Sequence, residues 1–339
     1  MMDDAVSARR RQMLQSALGP KITASLADER VIEVMVNPDG ALRLDILGKG
    51  CIDTGVRVNA AQVERIIRLV ATQARGEIST DCPIISAELP HHNSGSGERF
   101  EGVLPPVSKS PCFSIRKAAA RIFKLRDYVD AGMCSADCAQ ILSRAVADRL
   151  NILVAGGTSS GKTTLANALL DEMAGRNERV VIIEDTRELQ CPATDRIELR
   201  SCTGSVTIAD LVRSTLRLRP DRIVVGEVRG GEALDMLKAW NTGHPGGIAT
   251  LHANSAASAL VRLEQLVQER VPVVPPHLIA DAIDIVVFIS GRGLARRISS
   301  VTRVKGLAAN GRYRLSDLAL KPNDHRERRD EYVVSRPHE

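Results

Sequence analysis

Residues 151–164 read NILVAGGTSSGKTT, and the fold turns on this stretch. Ile152 to Ala155 form a short apolar run, the size of a buried strand. Gly156 to Thr164 then read GGTSSGKTT, and a helical pattern follows at Leu165, Ala168, Leu169 and Glu172. The spacing fits G-x-x-x-x-G-K-[ST], with Gly156, Gly161, Lys162 and Thr163 at the fixed positions. Glycine lets a backbone wrap round an anion, so the N–H groups of Gly157, Thr158, Ser159, Ser160 and Gly161 can converge on a phosphate. The helix starting there adds its N-terminal partial charge, with Thr164 in its first turn. Lys162 can reach the β- and γ-phosphates, and the Thr163 hydroxyl can ligate Mg²⁺. The sequence therefore predicts a nucleoside triphosphate site at a strand-to-helix turn.

Working outward, strands and helices alternate from residue 137 onward. Apolar runs at 151–155, 180–184, 222–226, 247–251 and 283–289 are separated by helical patterns at 161–173, 207–218, 231–241 and 255–269. That alternation predicts an α/β domain with a mainly parallel sheet, with ligands at the carboxyl ends of its strands. A closing hairpin is expected over 296–320. The N-terminal part reads differently. A helix is expected over 3–18, closed by Gly19-Pro20, with Arg9, Arg10 and Arg11 on its polar face. VIEVMV and ALRLDIL flank Asn37-Pro38-Asp39-Gly40, a hairpin signature. An amphipathic helix is expected over 60–74, with Val63, Ile66, Ile67 and Val70 on one side. Short strands are expected at 98–104 and 112–117. The expected organisation is a small α+β domain over 1–124, a linker over 125–136, the α/β domain over 137–320 and a disordered tail over 321–339. HHNSGSG at 91–97 reads as a solvated loop.

The composition narrows the function classes. With 339 residues, 44% apolar and 26% charged, the chain has enough apolar surface for two ordinary cores. A net charge of +5 and an aromatic share of only 2% argue against single-strand nucleic-acid binding by base stacking. No apolar stretch has membrane-spanning length, and MMDDAVSARRRQML lacks the apolar core of a secretory signal. The seven cysteines contain no C-x-x-C, which points to free thiols in a reducing cytosol.

Three further segments carry chemistry. Arg222 to Glu227, RIVVGE, puts a carboxylate at the end of a buried strand, where it can position an attacking water. Glu184-Asp185-Thr186-Arg187-Glu188 follows the strand VVII and joins the same site. His244 and His252 bracket the strand GIATL in TGHPGGIATLHAN; an imidazole near a γ-phosphate can sense it through a hydrogen bond. His244 reads as structural and His252 as part of the site.

The ordered set GGTSSGKTT, IIEDTREL, and RPDRIVVGEVRGGEALDMLKAWNTGHPGGIATLHAN resembles the secretion traffic ATPases, the ring ATPases of type II and type IV secretion, type IV pili and conjugation. NPDG, SAELP, GERFEGVLPPV and FSIRK are similar to the VirB-type type IV secretion group. The resemblance covers about residues 8 to 320. It implies a PAS-like N-terminal domain joined to a RecA-like phosphate-loop domain, assembled as a hexamer with ATP and Mg²⁺. It implies that Lys162, Glu184, Glu227 and His252 are catalytic, that Asp185 joins Thr163 at the metal, and that Arg116 of FSIRK reaches the phosphates. Arg229 and Arg213 are further candidates for charge neutralisation. The implied activity is ATP hydrolysis that powers conjugative secretion. The implied setting is cytoplasmic and peripheral at the inner membrane, beside other secretion components and without specific nucleic-acid binding. A pilus-retraction or type II secretion ATPase and a RecA-like translocase remain open alternatives at this point.

Overall fold

Two units divide the chain, Met1–Ala120 and Arg121–Glu339, each with its own buried cluster. The computed structural model describes residues 2–74, 76–89, 97–117, 122–202, 204–318 and 332–333. Residues 90–96, holding most of the expected HHNSGSG loop, lie outside the described residues. So do the expected disordered tail, apart from Tyr332 and Val333, and the side chains of Arg10 and Arg11.

In the first unit α1 (Met2–Ala27) precedes β1 (Val31–Val36), β2 (Ala41–Ile46), β3 (Gly50–Arg57), α2 (Ala60–Ala74), β4 (Ile84–Glu88), β5 (Arg99–Val103) and β6 (Cys112–Arg116). Among the described residues the strands form one antiparallel sheet in the order β3-β2-β1-β6-β5-β4. The expected hairpin is β1–β2, with Val34 opposite Leu44 and Val36 opposite Leu42. Val63, Ile66, Ile67 and Val70 of α2 pack with Leu14, Leu18 and Ile22 of α1 over Phe100, Phe113 and Ile115 of the sheet. The first helical stretch closes at Gly19-Pro20 as expected, and a second follows it directly. Gly19 leaves helical geometry (φ 74°, ψ 171°), and Pro20 opens the second stretch, where its missing N–H is no loss. The Gln62 amide donates to the carbonyl of Ala17 at the kink (2.9 Å), and Ile22 beyond it is buried, so the apolar face continues across the break.

In the second unit come α3 (Leu125–Asp130), α4 (Ala136–Ala147), β7 (Ile152–Gly156), α5 (Lys162–Asp171), β8 (Arg179–Glu184), β9 (Asp195–Arg200), α6 (Ile208–Thr215) and β10 (Arg222–Val228). They are followed by α7 (Glu232–Asn241), β11 (Ile248–His252), α8 (Ala256–Gln268), α9 (Pro276–Ala282), β12 (Ile285–Ser290), β13 (Arg297–Leu307), β14 (Tyr313–Asp317) and β15 (Tyr332–Val333). The sheet order is β15-β14-β13-β12-β7-β11-β10-β8-β9. β12 through β9 in that order are parallel, and β13, β14 and β15 extend the sheet antiparallel. Successive residues of the central strands enter different cores: Leu153, Val181, Ile223 and Ala249 pack under α6 to α9, while Ile152, Val154, Val180, Ile182 and Val224 pack under α3 to α5. Both faces are covered, so these strands read as continuous apolar runs rather than alternating ones. Leu125 and Tyr128 of α3, within the stretch expected to link domains, are buried in the second of these cores.

The amino-terminal edge of this sheet is tied by a buried arginine. Arg222, only 1% exposed, opens β10. It donates to both carboxylate oxygens of Glu178, through Nε at 2.6 Å and Nη2 at 3.1 Å. Its other donors reach the carbonyls of Val146 (3.0 Å) and Gly246 (3.4 Å), so one guanidinium joins the end of α4 to the approaches of β8 and β11. Removing the guanidinium leaves Glu178 with Arg149 alone, 3.7 Å away, and takes a donor from the Gly246 carbonyl, while the Val146 carbonyl keeps the Arg149 N–H. Arg222→Ala is expected to lower the stability of the second unit by about 1.5–3 kcal/mol, read from urea unfolding. A loss below about 1 kcal/mol would mean that the fork does not hold this edge.

Candidate functional site

At the opposite, carboxyl edge the buried strand β7 delivers the chain into the loop 157–161 and then into α5. Gly161 takes φ 96° at the helix N-cap, a left-handed conformation that disfavours any side chain. Ser159 is also at positive φ (60°), strain of the kind that collects at ligand sites. Gly157, Thr158 and Ser159 are exposed, Ser160 is buried, and Thr163 and Thr164 are half-buried on the first turn of α5. Among the described residues the Ser160 hydroxyl has no hydrogen-bond partner.

Lys162 is 7% exposed. Its amine donates to the Gly157 carbonyl at 3.1 Å and lies 3.3 Å from each ring nitrogen of His252, at the end of β11. β7 and β11 are parallel neighbours, and His252 is in register with Gly156, so the sheet itself sets this approach. His252 Nε2 is in turn 2.8 Å from Glu227 Oε1. Glu227 stands at the end of β10, where the register with β11 slips between Val225 and Val228. Such a bulge re-aims a side chain. Gly226 permits it: a Cβ there would lie 2.9 Å from Cγ of Glu184, and the Gly226 carbonyl accepts the Thr250 hydroxyl at 2.6 Å. Arg229 Nη2 donates to Glu227 Oε2 at 2.6 Å, and its Nη1 lies 3.5 Å from Asp185, whose other oxygen accepts the Ser201 hydroxyl at 2.7 Å. A continuous run of contacts thus leads from Lys162 through His252, Glu227 and Arg229 to Asp185.

The charges in this run set one another. Burial pushes the Glu227 carboxyl up, but Arg229, His252 and Lys162 outweigh it and hold the group below its ordinary value. Glu227 holds the Arg229 guanidinium more firmly protonated. Burial, then the Lys162 charge, push His252 below its ordinary range against the pull of Glu227. A neutral imidazole suits this place, because the Lys162 ammonium stands 3.3 Å from both ring nitrogens, against the ring.

The structure separates the remaining candidates. Glu184, expected among the catalytic groups, does not join this run. It is 5% exposed, and its Oε1 accepts the backbone N–H groups of Glu188 (3.0 Å) and Leu189 (2.9 Å), which folds the acidic segment back on itself. Arg213 pairs with Asp210 (2.9 Å) on its own helix and lies 4.0 Å from Asp235. His244 Nδ1 is 3.2 Å from the Ala239 carbonyl, the structural position expected of it. Arg116 is exposed at the end of β6 in the first unit. Two participants had no sequence signal: Ser201, which follows an edge strand, and Arg296, whose Nη2 donates to the Ser159 carbonyl at 3.3 Å.

Among the described residues no three His, Cys, Asp or Glu side chains gather as a metal cluster. Mg²⁺ does not require one, because it takes few protein oxygens and keeps several waters. The Thr163 hydroxyl and the Asp185 carboxylate are oxygen donors of the kind it takes, on α5 and just beyond β8 respectively. No helix among the described residues is long and apolar enough to cross a membrane.

Residues 95–323 match the family described as type II/IV secretion system protein. The chain is 47% identical over 304 residues to a probable conjugal transfer protein TrbB of Sinorhizobium fredii, covering 89% of this chain and 91% of that one. It is 32% identical over 290 residues to the type IV secretion system protein VirB11 of Bartonella henselae, covering 73% and 79%. Among solved structures, the ATPase DotB of Legionella pneumophila shares the fold with a TM-score of 0.57, at 20% identity over 81% of this chain and 77% of that one.

The Glu184 latch has a pH signature. Burial raises its pKa from 4.5 to about 7. Between those values the unfolded chain has released this proton and the folded chain still holds it, so this group makes stability fall as pH rises from 4.5 to about 7. Glu184→Gln keeps the accepting oxygen and cannot titrate. Urea midpoints across that window should decline less steeply in the variant than in the wild type. Identical slopes would show that Glu184 is ionised throughout.

Proposed function

The chain belongs to the type II/IV secretion system protein family, and from that premise we propose that it is an ATP hydrolase that powers a conjugative type IV secretion system. The observation that carries the reading is the contact run itself: a phosphate-loop lysine, a strand-end glutamate and an imidazole between them at the carboxyl edge of one parallel sheet.

The loop N–H groups and Lys162 hold the β- and γ-phosphates, with Thr158 to Thr164 closing round them. Glu227, kept ionised by Arg229, accepts a hydrogen bond from the attacking water and orients it toward the γ-phosphate. Arg229, once drawn toward the phosphates, and Lys162 oppose the charge that spreads over the γ-phosphoryl oxygens. His252 shares hydrogen-bond distance with both Lys162 and Glu227, so it registers whether the γ-phosphate is present. Mg²⁺, which Thr163 and Asp185 would hold, supplies charge neutralisation at the phosphate oxygens when bound. Glu184 acts at one remove, by holding the segment that carries Asp185.

The reading extends to a PAS-like first unit, a RecA-like second unit and a homohexamer in the cytoplasm, peripheral to the inner membrane and in contact with other secretion components. Six-fold assembly is tested by light scattering with ATP and Mg²⁺, where a strict monomer contradicts it.

Two variants separate binding from chemistry. Lys162→Ala should lose both ATP affinity and turnover. Glu227→Gln should keep affinity within about threefold and lose turnover by about 10²-fold or more, since shape survives while water activation does not. ATP affinity and phosphate release measure the two. Wild-type turnover in Glu227→Gln would remove that carboxylate from the reaction. Arg116→Ala in the same assays tests the role given to that arginine, with unchanged constants excluding it.

A further inference from the structure

The residues that meet at Lys162 all come from one side of the phosphate loop. In the sheet order β12-β7-β11-β10-β8, Glu227 and His252 stand at the ends of β10 and β11, and Asp185 follows β8. The other side belongs to β12 and the segment 291–296, and there Arg296 leans on the loop. Arg296 Nη2 donates to the Ser159 carbonyl at 3.3 Å. Its side chain also lies flat against Gly161. A Cβ built on Gly161 would stand 2.8 Å from Arg296 Nε, 2.9 Å from Cδ and 3.0 Å from Cζ. Gly161 therefore meets two demands, a left-handed φ and the room for this guanidinium.

The contact leaves donors unsatisfied. Arg296 Nε is buried and has no hydrogen-bond partner among the described residues. Nearby Tyr128, 1% exposed and influenced by the Arg296 charge, has a hydroxyl in the same condition. Leaving a buried donor unpaired costs about 1–3 kcal/mol. A side chain held that way at the lip of a ligand loop points to an acceptor or a flat surface supplied by the ligand. Lys162, read above as the ligand of the β- and γ-phosphates, lies toward β11, beside His252. A nucleotide laid along the loop from that end carries its nucleoside toward the β12 side, where Arg296 stands. A guanidinium suits this end: it donates to ribose hydroxyls or base nitrogens and stacks on the face of a purine.

We propose that Arg296 is the nucleoside-positioning residue of this site, gripping the ribose and base of the bound triphosphate from the β12 side of the loop. The proposal rests on the ATPase reading, and its test separates the two. The probes are Mg-ATP and inorganic tripolyphosphate, which has the three phosphates and no nucleoside. Their affinities are measured by calorimetry on the full-length wild type, Arg296→Ala and Arg296→Gln, with circular dichroism to confirm folding. Arg296→Ala should weaken ATP binding about tenfold, the equivalent of about 1.4 kcal/mol, and leave tripolyphosphate affinity within about twofold. Arg296→Gln, which fills the place without the charged plane, should behave alike. In turnover, KM for ATP should rise with kcat little changed, since the group touches no reacting atom. Equal loss of both affinities would mean that Arg296 only props the loop, and no loss of either would mean that it makes no contact; both results overturn the proposal. Failure of the wild type to bind either probe would instead refute the ATPase reading.

Discussion

A lysine ammonium placed almost wholly out of water must be matched by its neighbours. Lys162 is matched by the loop that carries it and by the ends of two adjacent strands. That constraint organises the second unit. β7, β11 and β10 must lie side by side for Gly156, His252 and Glu227 to meet. The parallel pairing of β7 with β11 sets His252 beside Gly156, and the slip between Val225 and Val228 re-aims Glu227 so that its carboxylate reaches His252. The glycine at 226 lets the buried Glu184 pack beneath the bulge, and Glu184 in turn pins the segment that bears Asp185. A change at any of these positions would be felt at the lysine without touching it.

Electrostatics gives the same run its direction. Arg229 keeps Glu227 ionised, and Lys162 with burial keeps His252 short of its second proton. The carboxylate is therefore ready to accept a hydrogen bond, and the neutral imidazole tolerates the lysine beside it. Phosphates would compete for Lys162 and Arg229 alike, so filling the site would loosen their present contacts.

The parts of this structure legible in the sequence are those with strong local signals. The buried strands β7, β8, β10, β11 and β12 announced themselves as unbroken apolar runs because both faces of the sheet are covered. The phosphate loop was readable because its chemistry requires fixed spacing. Edge elements were not. β9 reads DRIELR, with only Ile197 and Leu199 apolar, and β3 reads GCIDTGVR; both are largely exposed, and the few side chains that reach a core, Ile197, Leu199 and Val56, are too few to mark a strand. α4 buries Cys138, Leu142, Ala145 and Val146 through small residues, and α9 is only Pro276–Ala282. The break at Gly19-Pro20 is legible because its signal is local, while the second helical stretch beyond it depends on the burial of Ile22, which is tertiary. At the site, the acidic motif was visible, but not which carboxylate turns inward. Glu184 and Asp185 differ by one position on a strand end, and the pleat sends one into the core and the other toward Arg229. Arg296 carried no motif, since its place depends on a hairpin returning across the sheet.

The titration of His252 reads the proposed coupling between the phosphate-loop lysine and the strand-end glutamate. In protein labelled at histidine carbons, NMR should give His252 a pKa below the ordinary 6.5 in the absence of nucleotide. Saturating Mg-ATP with Glu227→Gln, which blocks turnover, should raise it relative to the same variant without nucleotide, because negative phosphate oxygens arrive and the lysine charge is drawn onto them. A His252 pKa that stays at the same value with and without nucleotide would contradict the account.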